Sequence, residues 1–173
     1  MALRPRHRGL IFALAALGLI AAGAARAGDY WIVANNDRQI ELVDPGRVAV
    51  APHRYPRIWT IVVRRAPMPT GPAFDYIQEY REMDCTRRRT AIIRATFHTR
   101  DGARIGESDA GSVAWLPEAP KSQGEAVLDF VCAKPAARRR LGLPLAGLTL
   151  QQAIDSLYAS WPSGRPAARS PKP

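Results

Sequence analysis

The chain is poor in the residues that most often carry chemistry. Its 173 residues include 2 cysteines and 3 histidines, too few for a multi-cysteine zinc module or a disulfide-dense mini-protein. Cys85 and Cys132 have no C-x-x-C spacing, so a thioredoxin-like redox pair is absent. No H-x-H or H-E-x-x-H string gives His53 or His98 a metal-ligand partner. None of Ser108, Ser112, Ser122 and Ser156 lies in a G-x-S-x-G elbow, and no glycine-rich loop could cradle a phosphate. Acid pairs such as Glu79/Glu82 and Asp101/Asp109 occur in any protein of this size and do not mark a glycosidase. The sequence calls for no cofactor and no metal.

Long apolar runs are also scarce, with one exception. Gly9–Ala25 is uncharged and follows a basic start of Arg4, Arg6, His7 and Arg8. It ends in Ala25-Arg26-Ala27, an A-x-A cleavage pattern before Gly28. Residues 1–27 therefore read as a signal peptide. A transmembrane anchor is the rival, but the run is at the short end of the spanning range and rich in weakly inserting alanine and glycine. No transmembrane anchor is expected after cleavage. No cysteine lies near the cleavage point, so the protein is not expected to be a lipoprotein. The expected destination is the periplasm or the exterior.

The charge balance changes once the chain is divided. Lys+Arg 25 against Asp+Glu 15 gives +10. Four of those charges (Arg4, Arg6, Arg8, Arg26) belong to the leader. Three more (Arg165, Arg169, Lys172) belong to residues 162–173, PSGRPAARSPKP, which have no large apolar side chain to offset ordering entropy and read as a disordered tail. Residues 28–161 then keep only +3, as one domain large enough for a core. That surplus is small for nucleic-acid binding, which is not expected.

Tyr30–Asn35, Gln39–Val43, Arg57–Arg65, Phe74–Cys85 and Thr90–Thr99 read as strands separated by turn residues, with a short piece at Val48–Val50. The continuous apolar middle of Arg57–Arg65 predicts a central strand buried on both faces. In Phe74–Cys85, alternation puts Tyr76, Gln78, Tyr80 and Glu82 on one face. A helix over 73–83 is the alternative there. In Thr90–Thr99, Ala91, Ile93, Ala95 and Phe97 are expected inward, and Arg94, Thr96 and His98 toward water. Arg100-Asp101-Gly102 gives a hairpin turn, and Ala103–Glu107 the return strand. Trp115, at the end of Gly111–Leu116, is expected against the sheet. Pro117–Gly124 reads as a loop and Glu125–Cys132 as the final strand. Thr149, followed three residues later by Gln152, is a capping box. It opens a helix whose Leu150, Ala153, Ile154, Leu157, Tyr158 and Trp161 recur at helical spacing. The fold class is therefore α+β, an antiparallel sheet with a C-terminal amphipathic helix packed against it.

In an oxidising compartment Cys85 and Cys132 can be joined, with free thiols as the alternative. A bridge across that separation would stabilise the fold by about 4 kcal/mol in the loop-entropy model. The arginine groups Arg64-Arg65, Arg87-Arg88-Arg89 and Arg138-Arg139-Arg140 read mainly as solvated surface. They are also candidates for a patch facing an anionic partner. Strand alternation would send Arg87 and Arg89 to one face and Arg88 to the other.

Cys85, Trp115 and Cys132 carry more when read together. EYREMDCTRRRTAIIRATFHTRDG followed by VAWLPEAPKSQGEAVLDFVC resembles the surface-adhesin protein E family of small exported bacterial proteins. The family's D-C-x-x-R string is matched by Asp84, Cys85 and Arg88. Its later W…P…S…GE…L…VC stretch is matched by Trp115, Pro120, Ser122, Gly124, Glu125, Leu128, Val131 and Cys132. The early YWIVAN, QIELVDP and RIWTIVV are similar to its first strands. The resemblance implies an antiparallel sheet backed by helical structure, joined cysteines and no enzyme. With it the expectation is a non-enzymatic binding or structural module at the cell envelope, with a protein or anionic polymer as partner. A small periplasmic hydrolase with an unrecognised site and an electrostatic binder of anionic lipids or polymers are the alternatives.

Overall fold

The computed structural model describes residues 28–50, 55–66, 73–109 and 114–161. The expected signal peptide, the expected tail and His53 lie outside the described residues.

Among the described residues, nine strands form one sheet in which every pairing is antiparallel. β1 (Asp29–Asn35) turns at Asn36, whose Oδ1 accepts the amides of Arg38 and Gln39, and returns as β2 (Gln39–Val43). Asp44 caps a single 3₁₀ turn, Pro45–Arg47, by accepting the Gly46 amide, and the short β3 (Ala49–Val50) follows. β4 (Pro56–Arg64), β5 (Tyr76–Asp84), β6 (Arg89–His98) and β7 (Arg104–Asp109) continue the sheet. β8 (Leu116–Pro117) adds to β6. Two helices come next, α1 (Gln123–Cys132) and the single-turn α2 (Pro135–Arg138). Then comes β9 (Leu143–Ala146), and last α3 (Leu150–Ser160). The strand order is β7-β6-β5-β4-β2-β1-β9, with β3 on β4 and β8 on β6.

The strands expected between Tyr30 and Glu107, the hairpin at Asp101-Gly102 and the capping box form. Gly102 has φ of 92°, the left-handed conformation such a turn requires. Thr149 Oγ1 accepts the Gln152 amide while the Gln152 side chain accepts the Thr149 amide. β4 is central, with Ile58 and Thr60 to Val63 all buried. The sheet is covered on both faces. On one, Ala153, Ile154 and Leu157 of α3 pack on Tyr30, Ile40, Leu42, Ile61, Val63 and Tyr76. On the other, Val127, Leu128, Phe130 and Val131 of α1 pack on Val33, Val43, Ile58 and Met83.

Four expectations are corrected. Glu125–Cys132 is helix, not strand: Ser122 accepts the Glu125 amide as N-cap, and the four buried residues of α1 fall on one helical face. Thr96 and His98 are buried rather than solvent-facing: the His98 ring stacks on Tyr76 and its nitrogens meet Thr96 Oγ1 and the Gly102 carbonyl. Ala91 and Ala95 are buried as expected, whereas Ile93 and Phe97 are only half-buried. A register shift at Ile93, between the pairs Tyr80↔Arg94 and Arg81↔Ile92, breaks the simple alternation. Arg87 and Arg88 belong to a turn, so strand alternation does not place them. β9, an edge strand beside β1, was not anticipated.

Candidate functional site

The family-like residues converge on one feature, the attachment of α1 to the β5–β6 turn. Asp84 ends β5 and is 2% exposed. Its carboxylate accepts the Arg87 amide at 3.0 Å and Arg89 Nε at 3.0 Å, with Arg87 Nη1 at 3.7 Å. Desolvation opposes its ionised form. The Arg87 amide and the Arg89 guanidinium together outweigh that and hold the carboxyl below its ordinary range.

Residues 85–88 then turn, and Arg88 adopts φ of 50°. That backbone points its side chain at α1, where Nη2 reaches Glu125 Oε1 at 2.7 Å and Nη1 reaches Asp129 Oδ1 at 2.9 Å. The two carboxylates are four residues apart, which places them on one helix face. Cys85, in the same turn, is bonded to Cys132 at the last residue of α1, with a Cα–Cα distance of 5.7 Å. The D-C-x-x-R string is therefore a clasp: Asp84 shapes the turn, and Cys85 and Arg88 hold the helix.

The other half of the resemblance prepares the helix start. Pro120 and Lys121 occupy a turn closed by the Ser122 amide on the Ala119 carbonyl, and the positive φ of Lys121 suits the third position of a type II turn. Glu125 Oε2 accepts the Lys121 amide at 2.6 Å. That bond first, and Arg88 second, lower the Glu125 pKa. Gly124 makes room for Glu118: a Cβ at this position would lie 1.9 Å from Glu118 Oε2. Glu118 accepts the hydroxyl of buried Thr90, and its amide donates to the Arg88 carbonyl. Leu128 and Val131 lie in the core beneath α1. Trp115 stands apart, in contact with Arg89 and Tyr55.

A buried charged cluster also lies on the α1 side, and nothing in the sequence pattern announced it. Arg81 donates from Nε to Glu79 at 2.8 Å and makes a second bond to the same carboxylate. Arg81 Nη2 is 2.9 Å from Glu41 Oε1, close enough for an ion pair but not aligned as a hydrogen bond. Glu41 is 1% exposed, and burial pushes its carboxyl up despite Arg81. Alternating hydrophobicity in QIELV placed Glu41 opposite Ile40 and Leu42, but that opposite face is covered by α1.

The anionic-partner patch is largely dispersed. Arg88 and Arg89 are engaged as described. Arg138 donates to the carbonyls of Phe130 and Val131 near the end of α1, a use of arginine that helix C-termini favour. Arg64 lies over the Phe74 ring and Arg65 reaches the Asp37 carbonyl. Arg87, Arg139 and Arg140 remain exposed. His98 stacks on Tyr76 with centroids 4.7 Å apart, and its ring nitrogens meet Thr96 Oγ1 and the Gly102 carbonyl. Among the described residues no group of three His, Cys, Asp or Glu side chains could hold a metal ion, and no helix is long and apolar enough to cross a membrane.

No curated protein and no solved structure matches the chain. A family model does, over residues 31–133, from β1 through the end of α1. That span contains both halves of the clasp and leaves β9 and α3 beyond it. The chain belongs to the family described as Surface-adhesin protein E.

Proposed function

We propose that this is an exported, non-enzymatic protein of the cell envelope whose domain binds a partner rather than transforming a substrate. One observation carries the reading. The polar residues that mark the family are engaged with one another in holding α1: Asp84 in the turn, Arg88 on Glu125 and Asp129, and Ser122 on the Glu125 amide. They form a scaffold and leave no nucleophile–base pair among themselves. The hydrolase alternative loses its described histidine as well, since both ring nitrogens of His98 are occupied and its ring is covered by Tyr76. Membership of an adhesin family supports binding as the activity.

Photocrosslinking of the full chain in intact cells tests this. A reproducible envelope partner, displaced by excess purified domain, is the expected result. No partner, together with turnover of an ester, peptide or glycoside panel by the purified protein, would overturn it. Sequencing the N-terminus of the envelope fraction checks export, with Gly28 as the expected first residue.

A further inference from the structure

Among the described residues, the α3-bearing face of the sheet is covered over only part of its area. α3 packs on Ile61, Val63 and Tyr76, and strand alternation puts Trp59, Arg57, Tyr80 and Glu82 on the same face, farther along β4 and β5. Trp59 and Tyr80 are cross-strand partners stacked with centroids 5.1 Å apart, and neither is buried. Beyond them Arg89 lies 4.8 Å over the Trp115 ring, and Tyr55 packs on the same tryptophan at 5.0 Å.

The charges on this face are layered. Glu82 and Asp84 are 7% and 2% exposed, so the carboxylates lie inside. Their partners lie outside: the Arg57 and Arg89 side chains are 33% and 29% exposed, and that of Arg87 is 67% exposed. Three guanidiniums share two buried carboxylates, so what meets solvent is cationic and carries a surplus of one charge. Arg57 and Arg89 are each anchored through Nε to a buried carboxylate with donors left over, while Arg87 only approaches Asp84 at 3.7 Å. A guanidinium anchored through Nε can meet a second carboxylate or a sulfate in bidentate fashion.

We propose that this open half-face, with Trp59, Tyr80, Arg57, Arg89, Trp115 and Tyr55, binds an acidic polysaccharide. The proposal rests on the binding-module reading above and names its partner class. Aromatic side chains offer apolar surface to the C–H face of a sugar ring, and the neighbouring guanidiniums meet its carboxylate. Single-stranded nucleic acid fits less well. The rings form two clusters, Trp59 with Tyr80 and Trp115 with Arg89 and Tyr55, rather than a row on which successive bases could stack.

Tryptophan fluorescence titration of the full chain tests the assignment. The probes are alginate oligosaccharides, with neutral dextran, oligo-dT and polyglutamate as comparators. Alginate binding that weakens with salt, and weakens roughly tenfold in Trp59→Phe and in Arg57→Gln, is expected, the size of one charge-assisted contact. Arg57→Lys keeps the charge without the fork and serves as a second variant should Arg57→Gln not fold. It is expected to recover less than the wild-type affinity. Arg104→Gln, on the edge strand β7 opposite His98 and at the far end of the strands from the Trp59–Tyr80 pair, is expected to bind as wild type. Alginate no tighter than dextran, equal loss in Arg104→Gln, or tighter binding of oligo-dT or polyglutamate would each overturn the assignment. A crosslinked envelope partner without alginate binding would remove this assignment and leave the binding-module reading standing. Loss of both would remove both.

Discussion

Glu41→Gln should cost the protein little or no stability at neutral pH, although it deletes a carboxylate from a fully buried ion pair. The reason lies in how Arg81 is shared. Glu79 receives two bonds from the guanidinium, whereas Glu41 is a second carboxylate beside a cation already matched. Removing one partner of a buried pair costs about 3–5 kcal/mol when it strands a charge. Glu79→Gln removes the carboxylate that takes both hydrogen bonds and leaves Arg81 only the unaligned Glu41, so its cost is the larger of the two. Glu41→Gln strands none, and glutamine keeps the volume, so its cost is expected below about 1 kcal/mol. The sign of the pH dependence follows from burial, which raises the Glu41 pKa in the folded state above its ordinary 4.5. The folded protein then binds a proton that the unfolded chain releases. Glu41 therefore contributes stability fully below pH 4.5, and that stability is lost as pH rises toward its folded value. Within that window the wild type should lose up to about 1.4 kcal/mol per pH unit relative to Glu41→Gln. Urea denaturation of wild type, Glu41→Gln and Glu79→Gln between pH 5 and 8 measures this directly. A flat difference between wild type and Glu41→Gln across that range would refute the reasoning. So would a Glu41→Gln variant as unstable as Glu79→Gln.

Reduction of Cys85–Cys132, or replacement of both by alanine, should cost about 4 kcal/mol in the loop-entropy model, read as the shift in urea midpoint between oxidised and reduced protein. Gly124→Ala would add about 1 kcal/mol of helix propensity in a free helix, but here the methyl displaces Glu118 from Thr90. The substitution should not stabilise the wild type and should stabilise a Glu118→Ala background, as a double-mutant cycle would show. Tyr158 donates to the carbonyls of Arg64 and Asp75, tying α3 to the chain on either side of the β4–β5 connection. Tyr158→Phe should cost about 1 kcal/mol. Burial lifts the Tyr158 pKa to about 12. The stability it contributes is thus present below pH 10 and lost as pH rises toward 12, an alkaline loss that Tyr158→Phe should blunt in a thermal-midpoint series.

The strands were readable because most of them obey a local rule. Asn36, Asp44-Pro45-Gly46 and Asp101-Gly102 carry turn chemistry in their own side chains or backbone freedom. The Thr149–Gln152 box likewise identifies the start of α3 without any tertiary information. What misled was context. AVLDFVC has an apolar run as suited to a strand as to a helix, and its ending in a cysteine matched the strand-like run before Cys85. The signal that could have decided the matter was present. Ser122-x-x-Glu125 is an N-cap pattern, and Val127, Leu128 and Val131 recur at helical spacing. Glu41, His98 and Arg81 were invisible for a different reason. A polar residue in an alternating strand reads as solvent-facing, and only a covering helix, α1 or α3, reverses that reading.

The two faces of the sheet place their charges differently, and the contrast bears on where recognition resides. On the α1 side the ions lie within the core, Arg81 with Glu79 and Glu41, under a helix fixed by a disulfide and by Arg88. Groups arranged in this way specify how α1 sits and are closed to a large partner. On the α3 side the carboxylates Glu82 and Asp84 are buried but their arginines reach the surface. That arrangement also holds the strands together, yet it leaves oriented guanidinium donors and aromatic surface in the open. A substitution in the clasp should therefore alter stability first and binding only as a consequence. One at Trp59, or the charge-keeping Arg57→Lys, should alter binding in a protein that still folds. The order of those two effects, measured on the same variants, separates scaffold from surface.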